Sequence, residues 1–139
     1  MTNGELVALA LEARKLAYAP YSHHLVGAAL LTKSGKVYTG CNVENAGYTP
    51  TNCAERTAVF KAVSEGDREF VSIAIVGGKE DAAHLPICAP CGVCRQVLRE
   101  FCDPATFTVI LGTDRPEDTK VMLLSELLPL GFGPESLLQ

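Results

Sequence analysis

Three cysteines stand at an even spacing of three in the segment PICAPCGVCRQ, residues 86–96. They are Cys88, Cys91 and Cys94, half of the six cysteines in the chain. Thiolates bind zinc and iron–sulfur clusters, and cysteines three residues apart on one helix can face the same point. Cys91 and Cys94 follow Pro90, which favours the first turn of a helix. This pair is therefore a candidate metal site, and it needs at least one more ligand.

A third ligand can come from the segment NCAERTAVFKAVSEG, residues 52–66, where the spacing of apolar residues predicts another helix. Cys53 lies in its first turn, after a possible Asn52 cap. The amino terminus of a helix carries positive partial charge, which favours the thiolate that a metal requires. If the two helix starts converge on one sheet, Cys53, Cys91 and Cys94 form a three-thiolate site with an open fourth position, which is typical of catalytic zinc.

The other cysteines fit this site less well. Cys88 precedes the helix and is most simply a loop thiol near the metal, since a fourth sulfur would close the position that catalysis needs. The even ladder of cysteines also resembles an iron–sulfur run, but the Cys-Pro of that run is absent. Cys41 and Cys102 show no ligand spacing and are predicted to be small buried apolar residues. Spacing alone leaves a redox pair at Cys91 and Cys94 open.

The pattern of apolar residues predicts alternating helices and strands along the chain. FVSIAIVG (70–77) and TFTVILG (106–112) are apolar, β-branched runs, typical of strands buried on both faces. The other predicted elements are helix 3–18, hairpin strands 26–32 and 36–43, helix 52–65, a helix after Pro90 and a short helix at 125–128. This order predicts one α/β domain over residues 1–139, with right-handed crossovers and helices on both faces of the sheet.

The net charge of −4 and the scattered Lys and Arg side chains give no basic surface that would receive DNA, RNA or another polyanion. No run of about 18 apolar residues predicts a membrane span. The first residues, MTNGELVALALEARK, carry Glu5 and Glu12 within an apolar pattern and do not resemble a secretory signal. We therefore expect a cytoplasmic protein without nucleic-acid or membrane partners, whose thiols stay reduced.

In their order and spacing, the motifs of this chain resemble one family, the homotetrameric cytidine deaminases of nucleoside salvage. Cys53-Ala54-Glu55 followed by Pro90-Cys91-Gly92-Val93-Cys94 matches the zinc nucleobase deaminase signature in its three-cysteine form. The resemblance continues in PYS (20–22), VGAA (26–29), GCNVENA (40–46), CAERTA (53–58), PCGVCRQ (90–96), LLP (127–129) and FGP (132–134). It implies a three-layer α/β/α sandwich around a mixed sheet of about five strands, one Zn²⁺ per chain, a small nucleoside substrate and a homotetramer.

The resemblance assigns the acid–base chemistry to Glu55, two residues after Cys53. Zinc lowers the pKa of water toward about 7, and Glu55 would carry protons to the ring nitrogen and to the departing ammonia. Three thiolates leave a zinc centre with net negative charge, so a positive group is needed beside the sulfurs. Arg56 is the candidate. Arg95 could act in the same way or form a surface salt bridge.

The resemblance also implies the residues that hold the nucleoside. Asn42 and Glu44, at the end of the second hairpin strand, would hydrogen-bond the ribose hydroxyls, and Ala54 would present backbone groups to the pyrimidine. Tyr48 would form part of the wall, and Phe132 would reach over the base from a neighbouring subunit. A polar pair at a strand end is otherwise typical of a turn, so these roles depend on the resemblance.

One position departs from the family pattern. These enzymes usually have phenylalanine after Pro-Tyr-Ser-x, but this chain has His24 in the segment SHHL, residues 22–25. Imidazole can still stack on a base, yet it is smaller, polar and able to gain a proton near neutral pH. The change could weaken binding of cytidine or admit a cytosine with a bulkier group on its amino nitrogen. His23 and His84 are expected to face solvent.

The sequence thus predicts a zinc-dependent deaminase of cytidine and deoxycytidine that gives uridine or deoxyuridine and ammonia. One alternative is a deaminase of an amino-substituted cytosine nucleoside or an aminopyrimidine drug, which His24 leaves open. Another is a non-catalytic binding module in which zinc only stabilises the fold. A nucleotide substrate is disfavoured, because no concentrated positive charge is present to receive phosphate.

Overall fold

The computed structural model describes residues 1–138, and Gln139 lies outside them. In chain order the elements are α1 (Asn3–Arg14), β1 (His24–Thr32), β2 (Val37–Cys41), α2 (Ala54–Ser64), β3 (Phe70–Lys79), α3 (Gly92–Phe101), β4 (Thr108–Leu111), a 3₁₀ turn (Pro116–Asp118), β5 (Lys120–Leu123), α4 (Leu124–Leu127) and a second 3₁₀ turn (Pro134–Ser136). Within residues 1–138, no helix has the length and apolar character that crossing a membrane requires.

The five strands form one mixed sheet in the order β2-β1-β3-β4-β5. β3 and β4 are parallel, with Ile75 beside Leu111, and the other neighbouring pairs are antiparallel. A connection between parallel strands must cross the sheet, and α3 lies in that crossover. The mixed five-stranded sheet confirms the predicted fold class.

Helices cover both faces of the sheet, which gives the three expected layers. On one face α1 packs alone, and the buried residues there are Leu6, Val7, Ala10, Ala29, Ala74, Val76 and Ile110. On the other face α2, α3 and α4 pack together over a larger core that includes Ala58, Val59, Ile73, Ile75, Leu98, Phe107 and Leu124. Because α2 and α3 share one face, their amino termini can meet at the same end of the sheet.

Some predicted elements differ from the structure at their ends. The first helix ends at Arg14 instead of residue 18, because the chain turns there and Tyr18 forms a β-bridge with Val43. Cys53, not Asn52, caps α2, since the Asn52 amide instead hydrogen-bonds a threonine hydroxyl within α2. The edge strand β5 was not predicted. It has only four residues, and they carry no clear alternation of buried and exposed side chains.

A glycine lets α2 pack directly on β2. A Cβ atom at Gly40 would lie 2.5 Å from the Ala54 carbonyl oxygen and 2.6 Å from the Ala58 nitrogen, both backbone atoms of α2. Side-chain movement cannot relieve such a contact, so a larger residue must displace the helix. The position of the start of α2, where Cys53 lies, therefore depends on the absence of a side chain at Gly40.

We expect Gly40→Ala to destabilise the protein by about 1–3 kcal/mol, because the added methyl group meets fixed backbone of α2. Thermal unfolding followed by circular dichroism measures this change. Gly4→Ala is the control, since a Cβ atom there meets only the Thr2 hydroxyl oxygen at 3.9 Å. Equal melting temperatures for the two variants would show that α2 can shift without cost.

Candidate metal and catalytic site

Three thiols lie together where α2 and α3 begin. Cys53 caps α2, Cys91 caps α3, and Cys94 lies in the first turn of α3. Their Sγ atoms all lie within 4.8 Å of one another. Cys53 Sγ is 3.9 Å from Cys91 Sγ, and Cys91 Sγ is 3.5 Å from Cys94 Sγ. The structure therefore shows the convergence of two helix starts that the sequence predicts.

Positive charge surrounds these sulfurs. Each helix start contributes the partial charge of its free N–H groups, and Arg56 Nη2 donates to Cys53 Sγ at 3.2 Å. The pKa of Cys53 is lowered to about 5, first by the hydrogen bond from the Cys94 thiol and then by the Arg56 guanidinium. The pKa of Cys94 is raised, because the proton shared between the two sulfurs stays on Cys94. Arg56 thus contacts a candidate ligand sulfur, as expected.

Glu55 is buried beside the thiols. Only 4% of its surface is exposed, and burial raises the pKa of its carboxyl to about 7. The negative charge of Cys53 acts in the same direction, while the Arg56 guanidinium opposes the shift. A carboxyl with a pKa near neutrality can both accept and donate a proton at physiological pH, which is the property of a general acid–base residue.

Cys53, Cys91 and Glu55 line a cavity of about 350 Å³, which is large enough for a small organic ligand, whereas Cys94 is fully buried behind it. It lies between the starts of α2 and β1, the end of β2 and the loop before α3. The predicted site residues that line it are His24, Asn42, Glu44, Cys53, Ala54, Glu55 and Cys91. The fold therefore brings most of the predicted substrate-binding residues to the thiol cluster.

Asn42 joins the end of β2 to the start of β1. Its Oδ1 accepts from the Val26 backbone N–H at 2.9 Å, and its Nδ2 donates to the His24 carbonyl at 2.8 Å. The amide carries a second N–H that these two bonds do not use. Asn42 thus positions one wall of the cavity, and its contact with a ribose stays a prediction.

The turn before β1 orients Glu44. The backbone N–H groups of Tyr21 and Ser22 donate to Glu44 Oε1 at 3.0 and 3.1 Å, and the Ser22 hydroxyl donates to Oε2. These bonds lower the pKa of Glu44, and the bond from the Ser22 hydroxyl has the largest effect. Ser22 was not predicted as a site residue: its sequence motif indicated only a family, and the fold alone brings it to Glu44.

Tyr48 and Phe132 do not line this cavity in the single chain. Tyr48 is 75% exposed and packs edge-to-face on Tyr21, with ring centroids 6.4 Å apart. Phe132 is 58% exposed in the C-terminal tail, where its carbonyl accepts from Gln96 Nε2 at 2.8 Å. The substrate contacts of both residues stay predictions, and that of Phe132 requires a second subunit.

Arg95 has neither of the two roles considered for it. Its Nε donates to the Pro90 carbonyl and its Nη1 to the Leu127 carbonyl, both at 2.7 Å. The guanidinium of Arg95 is thus hydrogen-bonded to backbone oxygens. Among the described residues it forms no contact with a ligand sulfur and no salt bridge. Arg95 instead fixes the loop before α3 against the end of α4.

The remaining cysteines and histidines largely follow the predictions. Cys102 is buried in the core, and burial raises its pKa to about 12. Cys41 is only partly buried, because it lies at the end of the edge strand β2. Cys88 is a loop thiol that lines the cavity but lies outside the three-thiol cluster. His23 and His84 are exposed.

Comparison with known proteins identifies the family. Residues 1–110 match the family model described as the cytidine and deoxycytidylate deaminase zinc-binding region, and all three thiols lie within that range. The chain belongs to this family.

Relatives of this deaminase match it over nearly their full length. The cytidine deaminase of Halalkalibacterium halodurans is 50% identical over 95% of this chain and 95% of its own, and that of Sporosarcina psychrophila is 47% identical over 96% and 93%. The crystal structure of cytidine deaminase from Burkholderia pseudomallei has a TM-score of 0.84 and 49% identity, covering 95% of this chain and all of that one. Fold and sequence thus agree on the family.

The thiol cluster of this deaminase fits zinc, the cofactor that its family binds. Tetrahedral zinc with Zn–S bonds of about 2.3 Å places its sulfurs about 3.8 Å apart. The two measured separations here are 3.9 and 3.5 Å. Cys53, Cys91 and Cys94 would hold the ion, and a set of three protein ligands leaves one position open, as in catalytic sites.

We expect Arg56→Gln to weaken zinc binding about 10–100-fold, because the change removes a positive charge and the hydrogen bond to Cys53. Competition with a chromophoric chelator measures the affinity. Arg68→Gln removes the same charge at an exposed position and is the matched control. An equal loss in both variants would mean that Arg56 acts only through the net charge of the protein.

Proposed function

We propose that this deaminase hydrolyses cytidine and deoxycytidine to uridine and deoxyuridine and releases ammonia. The observation that carries the proposal is the position of Glu55, a buried carboxyl with a pKa near 7 that lines the cavity beside the thiol cluster. A purely structural zinc site needs no such carboxyl, whereas hydrolysis of an amine-bearing ring requires a group that moves protons. The relatives named cytidine deaminase support the substrate.

The reaction exchanges one substituent of the pyrimidine ring. Water adds its oxygen at C4, the C4–N4 bond breaks, and the nitrogen leaves as ammonia. When bound, zinc supplies an activated water for this addition. Glu55 would accept the protons of that water in turn, delivering one to ring N3 and the other to N4, so that its own protonation state is restored after each turnover.

The nucleoside is proposed to lie with its base toward Glu55 and its sugar toward Asn42 and Glu44. Glu44 suits a ribose hydroxyl, because a carboxylate already oriented by backbone N–H groups can accept one more hydrogen bond without rearranging. The backbone at Ala54, in the first turn of α2, would meet the edge of the base. His24, at the start of β1, would lie against the pyrimidine ring.

We also propose that the chain is a single domain that assembles as a homotetramer in the cytoplasm. Phe132 lies in a tail with further exposed apolar side chains, namely Leu130, Leu137 and Leu138. Burial of such side chains under a second copy of the chain is favourable, and Phe132 of one chain would then close the cavity of its neighbour. The cytoplasm supplies the reducing conditions that three metal-binding thiols need.

We expect Glu55→Gln to lower kcat on cytidine about 10²–10⁴-fold while one zinc per chain is retained, because the amide keeps the shape of the carboxyl but cannot exchange protons. Ammonia release and metal content are measured on the same preparation. Glu117→Gln, at an exposed position, is the matched control and should keep full activity.

The alternative functions give different results in this experiment. A zinc-stabilised binding module would release no ammonia from any nucleoside, although zinc is fully present in the wild type. Undiminished activity of Glu55→Gln would instead show that another group moves the protons.

We expect Phe132→Ala to raise the KM for cytidine about tenfold, because the base loses an aromatic contact from the neighbouring chain. Reassembly of Phe132→Ala chains with inactive Glu55→Gln chains tests the origin of that contact. In mixed tetramers an intact Glu55 can meet an intact Phe132, so a low KM should return in part. Leu16→Ala, which shortens an exposed apolar side chain outside the tail, is the control, and no recovery on mixing would mean that Phe132 does not act across subunits.

A further inference from the structure

His24 and Cys88 form a polar pair on the wall of the cavity. The imidazole Nε2 lies 3.9 Å from Cys88 Sγ, and both side chains line the cavity. They come from different elements, His24 from the start of β1 and Cys88 from the loop before α3. Neither belongs to the thiol cluster, and neither has a part in the proton transfer proposed for Glu55.

Both members of the pair are held in place. The His24 backbone N–H donates to Ser22 Oγ at 3.0 Å, and the His24 carbonyl accepts from Asn42 Nδ2 at 2.8 Å. Cys88 packs on Gly77 of β3, where a Cβ atom would lie only 2.8 Å from Sγ. Burial raises the pKa of Cys88 to about 11, so its thiol is protonated at neutral pH. The backbone of His24 and the thiol of Cys88 are thus fixed by their contacts, and both side chains carry groups that can form hydrogen bonds.

The pair lies beside the expected position of the exocyclic amine. In the proposed function, the carbon that loses its amine faces Glu55 and the thiol cluster. Cys88 and Ala89 line the cavity and directly precede Pro90 and the candidate ligand Cys91. A group attached to the amino nitrogen would therefore extend along the wall that Cys88 and His24 form.

We propose that His24 and Cys88 select cytosine nucleosides whose exocyclic nitrogen carries a small acyl group. This inference rests on the proposed function and names its substrate class. The bonds balance as before: water adds at C4, the C4–N4 bond breaks, and N4 takes a proton and leaves as a carboxamide instead of as ammonia. The acyl oxygen would accept a hydrogen bond from an imidazole N–H or from the thiol S–H.

Such a wall distinguishes acyl from alkyl substituents because a polar group that loses its hydrogen-bond partner on binding costs free energy. A phenyl ring at position 24 would leave the acyl oxygen only the weak S–H donor of Cys88, and it would tolerate an alkyl group of the same size nearly as well. With His24 in place, an alkyl group leaves the imidazole N–H unpaired. The preference for acyl over alkyl substituents should therefore be high in the wild type and fall when the pair is removed.

The test compares N4-acetylcytidine with N4-isopropylcytidine, whose substituents have the same number of heavy atoms but differ in the oxygen. We expect His24→Phe to lower the ratio of their kcat/KM values about tenfold, and Cys88→Ala about threefold, because the thiol acts partly through the imidazole. The double variant should lose little more than His24→Phe alone, as expected for one coupled unit. Acetamide and uridine are both counted, which separates C4–N4 cleavage from loss of the acetyl group.

Two control variants accompany this test. His24→Gln retains an N–H at the cavity and should keep most of the ratio. Cys41→Ala removes a thiol outside the cavity and should leave the ratio unchanged. If His24→Phe fails to fold, Cys88→Ala decides alone.

The outcomes separate this inference from the proposed function. An unchanged ratio in the folded variants, with cytidine still deaminated, overturns the role of the pair and leaves the proposed function intact. Absence of turnover of cytidine and of both substituted nucleosides by the zinc-loaded wild type overturns both.

Discussion

Two helices begin at the same end of one sheet, and the positive potential at their starts brings three sulfurs together. Thiolates in contact repel one another, so the cluster needs a compensating charge that does not move. The helix starts of α2 and α3 provide it through backbone that the sheet holds fixed, and Arg56 adds a full charge at Cys53. The close approach of α2 to β2 at Gly40 sets the position of one of these starts.

Hydrogen bonds of neutral side chains and of one carboxylate hold the opposite wall of the cavity together. Asn42 and Ser22 hold the backbone of His24, and the same serine also holds Glu44. Arg14 of α1 reaches the same region from the other face of the sheet, donating to the Leu25 carbonyl at 2.9 Å. One side of the cavity therefore carries the thiol cluster and its positive surroundings, whereas the other carries amide, hydroxyl and carboxylate groups, and Glu55 lies buried on the thiol side.

The sequence predicted the features that depend on residues close together in the chain, such as the starts of helices and the buried strands. Cys91 and Cys94 are three residues apart at the start of one helix, Cys53 lies at the start of another, and β3 is a continuous apolar run, so each could be read from its own segment. Contacts between distant residues could not be read in this way. The Ser22–Glu44 bond and the carbonyl partners of Arg95 depend on how the elements pack, and β5 is too short and too exposed to show a period of its own.

Helix α3 joins the loop that precedes it to the tail of the chain. Arg95 connects the carbonyl of Pro90 with that of Leu127, and Gln96 binds the carbonyl of Phe132. Ordering of the tail would then favour retention of a bound metal, and thermodynamic linkage would make this coupling free energy the same in both directions. A surface that another subunit would cover is in this way connected to the thiol cluster, although within residues 128–138 no side chain hydrogen-bonds one of the three sulfurs.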